Sequence, residues 1–339
     1  MSDCSKHNDS GGTPEVFPVS PDRIDSDGLF GALWGRLRGD GTDDDLLAAS
    51  IRRHGILEPV KLIAAEGDDT RYHLVTGRGR VRAAKRLGLM TVPGMLLDVT
   101  RGDAVVRGLM EHYPDRRYTA AQAAVLSDRL EGGLGVERSR LLSCGVPALM
   151  GFSATERVLD DLLTAAGLGA DILFLAHGRG YSLRVLVRWA RFDAEDRRDI
   201  AGLLRRVRLG SGPADEVLGI LWEMKVRDNT PVGDILGLPE LSSLLDGDDG
   251  EVLRRGEAVR TVLRGLRYPR FTAQKAAFDR AAASLSLPRS AAVDHHPTFE
   301  GGGIGFSCRF SDPGDMEETA RFLIEAAGSD AAKKLFSLV

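Results

Sequence analysis

Gly77-Arg78-Gly79-Arg80-Val81-Arg82-Ala83-Ala84-Lys85 is the stretch that decides how this chain folds. The apolar run Tyr72-His73-Leu74-Val75 leads into it, and an alanine-rich helical pattern continues from it to Leu87, where Gly88 stops it. The order is strand, glycine turn, helix start, with Arg78, Arg80 and Arg82 packed into five positions. Glycine lets the backbone turn tightly and approach a ligand closely. The first N–H groups of a helix have no internal acceptor and lie at the positive end of its dipole. A phosphate suits such a place. The spacing is not the P-loop, which ends in Gly-Lys-Ser/Thr. Nor is it the dinucleotide fingerprint, whose third glycine would fall on Arg82. On these residues alone, a common turn with a solvated arginine face stays an open alternative.

The flanking sequence narrows the choice. Upstream runs Leu46-Leu47-Ala48-Ala49-Ser50-Ile51-Arg52-Arg53-His54-Gly55-Ile56-Leu57-Glu58-Pro59-Val60, and downstream stand Leu87-Gly88-Leu89-Met90-Thr91-Val92-Pro93 and Glu111-His112. This series resembles the N-terminal domain of the ParB family, which shares its fold with sulfiredoxin. The family's Gly-hydrophobic-x-Gln-Pro-hydrophobic box corresponds to Gly55-Ile56-Leu57-Glu58-Pro59-Val60. Its Gly-Glu-Arg-Arg-x-Arg-Ala-Ala box corresponds to Gly77 through Ala84. Its Glu-Asn box corresponds to Glu111-His112. Three boxes in order across about seventy residues are more specific than any one of them.

The resemblance implies a site. ParB-like domains bind cytidine triphosphate with Mg2+ and use it as a clamp switch on duplex DNA. Gly77, Arg78, Gly79, Arg80, Arg82 and Ala83 would then cradle phosphates. Gly55 and Pro59 would shape the pocket near the base, and Glu111, with His112 beside it, would stand on the metal side. The chain departs from the family pattern at four positions: Arg78 replaces glutamate, Gly79 replaces arginine, Glu58 replaces glutamine and His112 replaces asparagine. These changes leave the fold expected and open the identity of the nucleotide and the metal. Sulfiredoxin chemistry needs a cysteine in this region, and none lies between Cys4 and Cys144.

A length of 339 residues fits two or three domains. A hydrophobic content of 43% with 28% charged residues is that of a soluble globular chain. The net charge of −4 argues against a protein that grips DNA over its whole surface, but the charge is uneven. Residues 46–140 hold 16 Lys and Arg against 11 Asp and Glu, whereas residues 1–45 hold 4 against 10. Cys4, Cys144 and Cys308 lie far apart and suggest neither a disulfide framework nor a metal cluster, which fits a reducing cytoplasm. No stretch has the ~18–20 apolar residues of a membrane helix.

The expected organisation has four parts. Residues 1–28, rich in Ser, Asp, Gly and Pro, read as a disordered leader. Residues 29–118 read as an α/β (α+β) domain of the ParB/sulfiredoxin type, with a helix over 45–53, strands over 60–64, 71–75 and 92–99, and helices over 80–87 and 103–112. Residues 119–270 read as all-helical, with Thr119, Thr155 and Asp193 at helix starts. Residues 271–339 read as a small C-terminal α+β module with strands near 299–300 and 304–310. The Asp246–Gly250 loop matches a calcium loop only in part, because position five is Gly250 and position six is Glu251. His295-His296 beside Glu300 is a weak metal pair, since adjacent strand residues point to opposite faces.

In the helical part, Val136–Leu142 followed by Ser153–Ala166 occupies the place of the family's DNA-reading helices, and Arg138 and Arg140 are its basic side chains. Arg184, Arg188 and Arg191 share one helix face that could meet phosphates or pair with nearby acids. The leading reading is a ParB-like, CTP-switched DNA-binding protein, bacterial and nucleoid-associated. It would act in chromosome or plasmid partition, as a homodimer, with a partition ATPase as a further partner. The alternatives are a ParB-like nuclease or nucleotide hydrolase, in which Glu111, His112 and Asp115 would cluster, and a degenerate ParB-like partner-binding module.

Overall fold

The computed structural model describes residues 15–31, 36–37, 44–111, 117–245, 252–288, 290–295 and 303–338. The N-terminal part is built on a five-stranded mixed sheet: β1 (Val16–Val19), β2 (Ile24–Asp25), β3 (Val60–Ala65), β4 (Asp68–Thr76) and β5 (Val92–Leu96), in the order β1-β5-β3-β4-β2. Helices α1 (Asp44–His54), α2 (Arg78–Leu87) and α3 (Arg101–Glu111) accompany it. β3 and β4 are antiparallel neighbours joined by a turn at Glu66 and Gly67. β5 runs parallel to β3 and β2 parallel to β4. Parallel pairing requires a long return: β4 and α2 lie between β3 and β5, and α1 and β3 lie between β2 and β4.

Side-chain alternation gives the sheet two apolar faces. Val60, Leu62 and Leu74 pack with Val81 and Ala84 of α2. Ile63 and Val75, on the opposite face, pack with Leu29, Phe30, Val105 and Leu109 in a cluster that continues through the helical region to Leu263. Packing is therefore continuous across residue 118, where the secondary structure changes.

Residues 15–28 correct the expectation of a disordered leader. They supply two strands of the sheet, with Val16 to Val19 paired to Met95 to Val92 and Ile24 and Asp25 paired to Tyr72 and His73. These strands are short, and Pro18 interrupts the first. That strand lies on the sheet edge, where a residue lacking an N–H is tolerated. Residues 1–14 lie outside the described residues, as do His112, Asp115, the Asp246–Gly250 loop and His296.

The helical region begins with α4 (Ala120–Asp128) and a π-helical turn, Arg129–Gly133. It continues with α5 (Arg138–Ser143), α6 (Val146–Leu149), α7 (Glu156–Ala166), α8 (Ala170–Arg179), α9 (Leu183–Ala190) and α10 (Ala194–Arg206). α11 (Ser211–Asp228), α12 (Val232–Leu236), α13 (Pro239–Leu245) and α14 (Val252–Arg267) complete it. Its starts are chemically explicit. Thr119 and Gln122 form a reciprocal capping box, Thr155 accepts from the Val158 amide, and Asp193 accepts from the amides of Glu195 and Asp196. Asp196 is 1% exposed; it takes the Val232 amide at 2.8 Å and pairs with Lys225, so one buried carboxylate ties α10, α11 and α12 together. The expectation of no disulfide framework is corrected at Cys144, which is disulfide-bonded.

The C-terminal module holds α15 (Pro269–Ser284), the antiparallel pair β6 (Ala291–His295) and β7 (Ile304–Cys308), α16 (Pro313–Ala327) and α17 (Asp330–Phe336). It has its own small core of Phe278, Ala281, Leu285, Ala332 and Leu335. β6 was not expected from the sequence, and His295 on it stacks edge-on against Phe278 at 4.7 Å. Among the described residues, no helix is long and apolar enough to cross a membrane.

Glu216 of α11 accepts from Arg260 and Arg264 of α14. Hydrogen bonding to Arg264, aided by Arg260 and opposed by burial, lowers its pKa from 4.5 to about 2. A depressed folded-state pKa contributes stability in full above the unfolded value, and that contribution is lost as the pH falls. Thermal melts should therefore show a loss between pH 4.5 and about 2 that is smaller in Glu216→Gln. Parallel acid limbs in the two proteins would contradict this assignment.

Candidate anion-binding cleft

The first two sequence boxes meet in space. A cleft of about 420 Å3 is lined by Leu47, Ser50 and Ile51 of α1, by Gly55, Ile56, Leu57 and Glu58 of the loop after it, and by Gly77, Arg78, Gly79 and Arg80. Gly77 is the hinge of this arrangement. It has φ 104° and ψ 21° and directly precedes the first residue of α2. A Cβ on Gly77 would also come 2.7 Å from the Val60 Cγ1 methyl. Positive φ and close packing thus both demand glycine here. The Val81 amide bonds to the Gly77 carbonyl at 3.0 Å, so the helix is closed from its first turn. α2 starts at Arg78, two residues earlier than the expected 80, which places Gly79 inside the first turn, 3.0 Å from Leu47 as judged by an added Cβ.

Arg80 braces the opposite wall. Its Nη1 donates to the carbonyls of Glu58 at 2.7 Å and Pro59 at 3.0 Å, and the same nitrogen lies 3.5 Å from the Glu58 carboxylate. Gly55, at φ 73°, ends α1 with its amide on the Ile51 carbonyl, and this turns the chain towards Arg80. Arg78 points to Asp27, 2.7 Å away. Sequence reasoning missed Asp27 because it falls in the segment read as leader. Leu47, Ser50, Ile51 and Leu57 were quoted as part of the box but not assigned to the site.

The other expected residues fall around the cleft. Pro59 contributes through its carbonyl. Arg82 lies further along α2, and Ala83, 4% exposed, packs against Ala48 and Ile51 and so fixes α2 on α1. Glu111 ends α3, does not line the cleft, and pairs with Lys61, the residue after Val60. His112 lies outside the described residues. Among the described residues, no three His, Cys, Asp or Glu side chains gather as a metal centre would need. A single carboxylate such as Glu111 would suit Mg2+ only where ligand phosphates complete its oxygen shell.

The four arginines expected on DNA are each held by acids. Arg138 donates to Glu131 at 2.6 Å and to Asp160 at 2.8 Å. Arg140 pairs with Asp103. Arg184 and Arg188 each reach Asp215 of α11 at 2.9 Å. A Cβ on Gly219 would come 2.3 Å from Arg188 Nη1, so the Arg188 guanidinium is seated in a space that glycine leaves on α11.

An α/β domain with a glycine-hinged helix start, facing a short loop across an arginine-lined cleft, defines a structural class. Comparison with known proteins makes the class specific. Residues 42–113 match the ParB N-terminal domain. A probable chromosome-partitioning protein ParB of Pseudomonas putida is 32% identical over 85 residues, which cover 25% of this chain and 29% of that protein. A nucleoid occlusion protein of Bacillus cereus is 30% identical over 86 residues, covering 25% and 29%. The chain thus spans less than a third of the length of these relatives in the matched region. Among solved structures, a ParB of Caulobacter crescentus complexed to the centromeric parS site is matched at 16% identity and TM-score 0.36, covering 60% of this chain and 98% of that one. The C. crescentus ParB complexed with CTP-gamma-S is matched at 17% identity and TM-score 0.26, covering 60% and 92%.

Replacing Gly77 by Ala should cost about 2–4 kcal/mol in urea unfolding, from left-handed backbone strain plus overpacking on Val60. A cost below about 1 kcal/mol would mean that the hinge relaxes freely.

Proposed function

We propose that this protein is a ParB-type, nucleotide-binding, DNA-associated protein whose ligand is a nucleoside triphosphate, CTP by family resemblance, held in the cleft between Gly55–Glu58 and Gly77–Arg80. The observation that carries this reading is that two boxes separated in sequence form the walls of one cleft, with a helix N-terminus and two arginines on one wall. The free N–H groups at the start of α2 and the Arg78 guanidinium would take the phosphates. Arg80 would hold the Glu58–Pro59 loop at the distance the ligand needs. The apolar side chains of Ile51, Ile56 and Leu57 would cover the base and sugar. Mg2+, when bound, would supply charge neutralisation between phosphates, and by the family resemblance Glu111 would support it once released from Lys61.

The names of the relatives, a chromosome-partitioning protein and a nucleoid occlusion protein, support a role in chromosome or plasmid organisation. Under this reading the protein works as a homodimer on duplex DNA in the nucleoid, with a partition ATPase as a further partner. DNA would be met by the α5–α7 segment, where Arg157 of α7 is exposed and Arg138 and Arg140 would exchange their carboxylates for phosphates.

Thermal-shift and calorimetric titrations against CTP, ATP, GTP and UTP with Mg2+, with and without duplex DNA, test the proposal. Selective stabilisation by CTP is expected, and Arg80→Ala should weaken it at least about tenfold by freeing the Glu58–Pro59 wall. No response to any triphosphate, or a response untouched by Arg80→Ala, would overturn the site assignment. Removing Arg138 and Arg140 together should weaken duplex binding and reduce its salt dependence by about one to two phosphate contacts. Unchanged duplex affinity in that variant would exclude the α5–α7 segment as the DNA face.

A further inference from the structure

One arginine of the cleft wall, Arg78, already faces an anion, and that anion belongs to the chain itself. Asp27 lies 2.7 Å from Arg78, the arginine at the first position of α2. The topology places the two together. β2 and β4 run parallel, with Asp25 opposite His73, so the chains leaving their C-terminal ends emerge on the same edge of the sheet. β4 leads through Gly77 to Arg78, and β2 leads through a short turn to Asp27.

That turn is built. The Asp25 carboxylate accepts the amides of Asp27 at 2.9 Å and Gly28 at 2.8 Å. Burial opposes ionisation of Asp25, but these two bonds, with His73 and Arg71, outweigh it and hold its pKa below the usual carboxylate value. Gly28 fits only because it is glycine: an added Cβ would come 2.1 Å from Asp25 Oδ2. Beyond the turn, Arg129 of the π-helical turn donates to the carbonyls of Gly28 at 2.9 Å and Leu29 at 3.2 Å. Asp27 is thus carried on a segment fixed at both ends.

The carboxylate is half-exposed, but only one of its oxygens meets water. Asp27 Oδ1 is shielded from water and makes no hydrogen bond, so the nearby Arg78 guanidinium is its counter-charge. An anion entering the cleft must take Arg78 away from Asp27 and tolerate the carboxylate beside it. A ligand with several charged groups can do this, because it offers Arg78 and the α2 amides more than Asp27 does. A single phosphate offers little more than the carboxylate it displaces.

We propose that Asp27 is a specificity residue of the cleft: an internal anion that competes for Arg78 and biases binding towards polyphosphate over single phosphate groups. The proposal rests on the reading of the cleft as a phosphate site and adds to it the residue that discriminates among phosphates.

Calorimetry on the full chain with inorganic phosphate and with tripolyphosphate, free of metal, tests it in wild type, Asp27→Asn, Asp27→Ser and Asp27→Asn/Arg78→Ala. Two replacements at position 27, each checked by its melting temperature, guard against a folding defect in either. Loss of the pair should tighten phosphate binding about fivefold, the scale of one partly exposed ion pair, and tripolyphosphate less, so that discrimination between the two falls. The added Arg78→Ala change should abolish the gain. If wild type binds tripolyphosphate and both position-27 variants bind as it does, or more weakly, Asp27 does not compete, and the cleft reading survives without it. If neither wild type nor the variants bind tripolyphosphate, the phosphate reading of the cleft fails and the role of Asp27 falls with it.

Discussion

The site depends on one backbone conformation held in a tight place. Gly77 must turn with positive φ to end β4 and start α2 at once, and it must do so under the Val60 methyl groups of the neighbouring strand. Because Val60 also follows Pro59, the strand that forbids a side chain at position 77 is the same strand that carries the opposite wall of the cleft. Arg80 closes the circuit by bonding to the carbonyls just before Val60. The spacing of the two walls is therefore set by packing and hydrogen bonding between β3 and α2, and a ligand would meet a largely formed site.

Charge is used in two ways in this chain. Several arginines of the helical region join helices: Arg188 to Asp215, Arg260 and Arg264 to Glu216, Arg140 to Asp103. Exposed pairs of this type contribute little singly, but several between the same two helices fix their register. Around the cleft the same residue type acts differently. Arg80 bonds to backbone carbonyls, which leaves its charge uncancelled by a close hydrogen-bonded acid, and Arg78 has a carboxylate partner that is itself half-exposed.

Much of this was legible in the sequence. The strand–glycine–helix order at Tyr72–Leu87, the α1 stop at Gly55, and the starts at Thr119, Thr155 and Asp193 all rest on local chemistry, and local chemistry is what a single sequence displays. The strands at 16–19, 24–25 and 291–295 were not read, because each is short and gains its stability from a partner far along the chain: Val16 pairs with Met95, Ile24 with Tyr72, Ala291 with Cys308. The arginine partners were hidden for the same reason. Arg184 and Asp215 are far apart in the chain, and their helix faces meet only after α9 has packed on α11. Asp196 is as hidden: the amide its carboxylate accepts is that of Val232, 36 residues on.

Among the described residues, those lining the cleft come from one uninterrupted stretch of chain, Leu47 to Arg80, inside the segment that matches the ParB N-terminal domain. None of them is supplied by the helical region or by the C-terminal module. Such a pocket can be inherited as a single cassette. Its neighbours can diverge, be replaced or be joined to other partners without rebuilding the ligand's walls, so long as Val60 still packs over Gly77. The chain's resemblance to its relatives over a quarter of its length is what inheritance of that kind leaves behind.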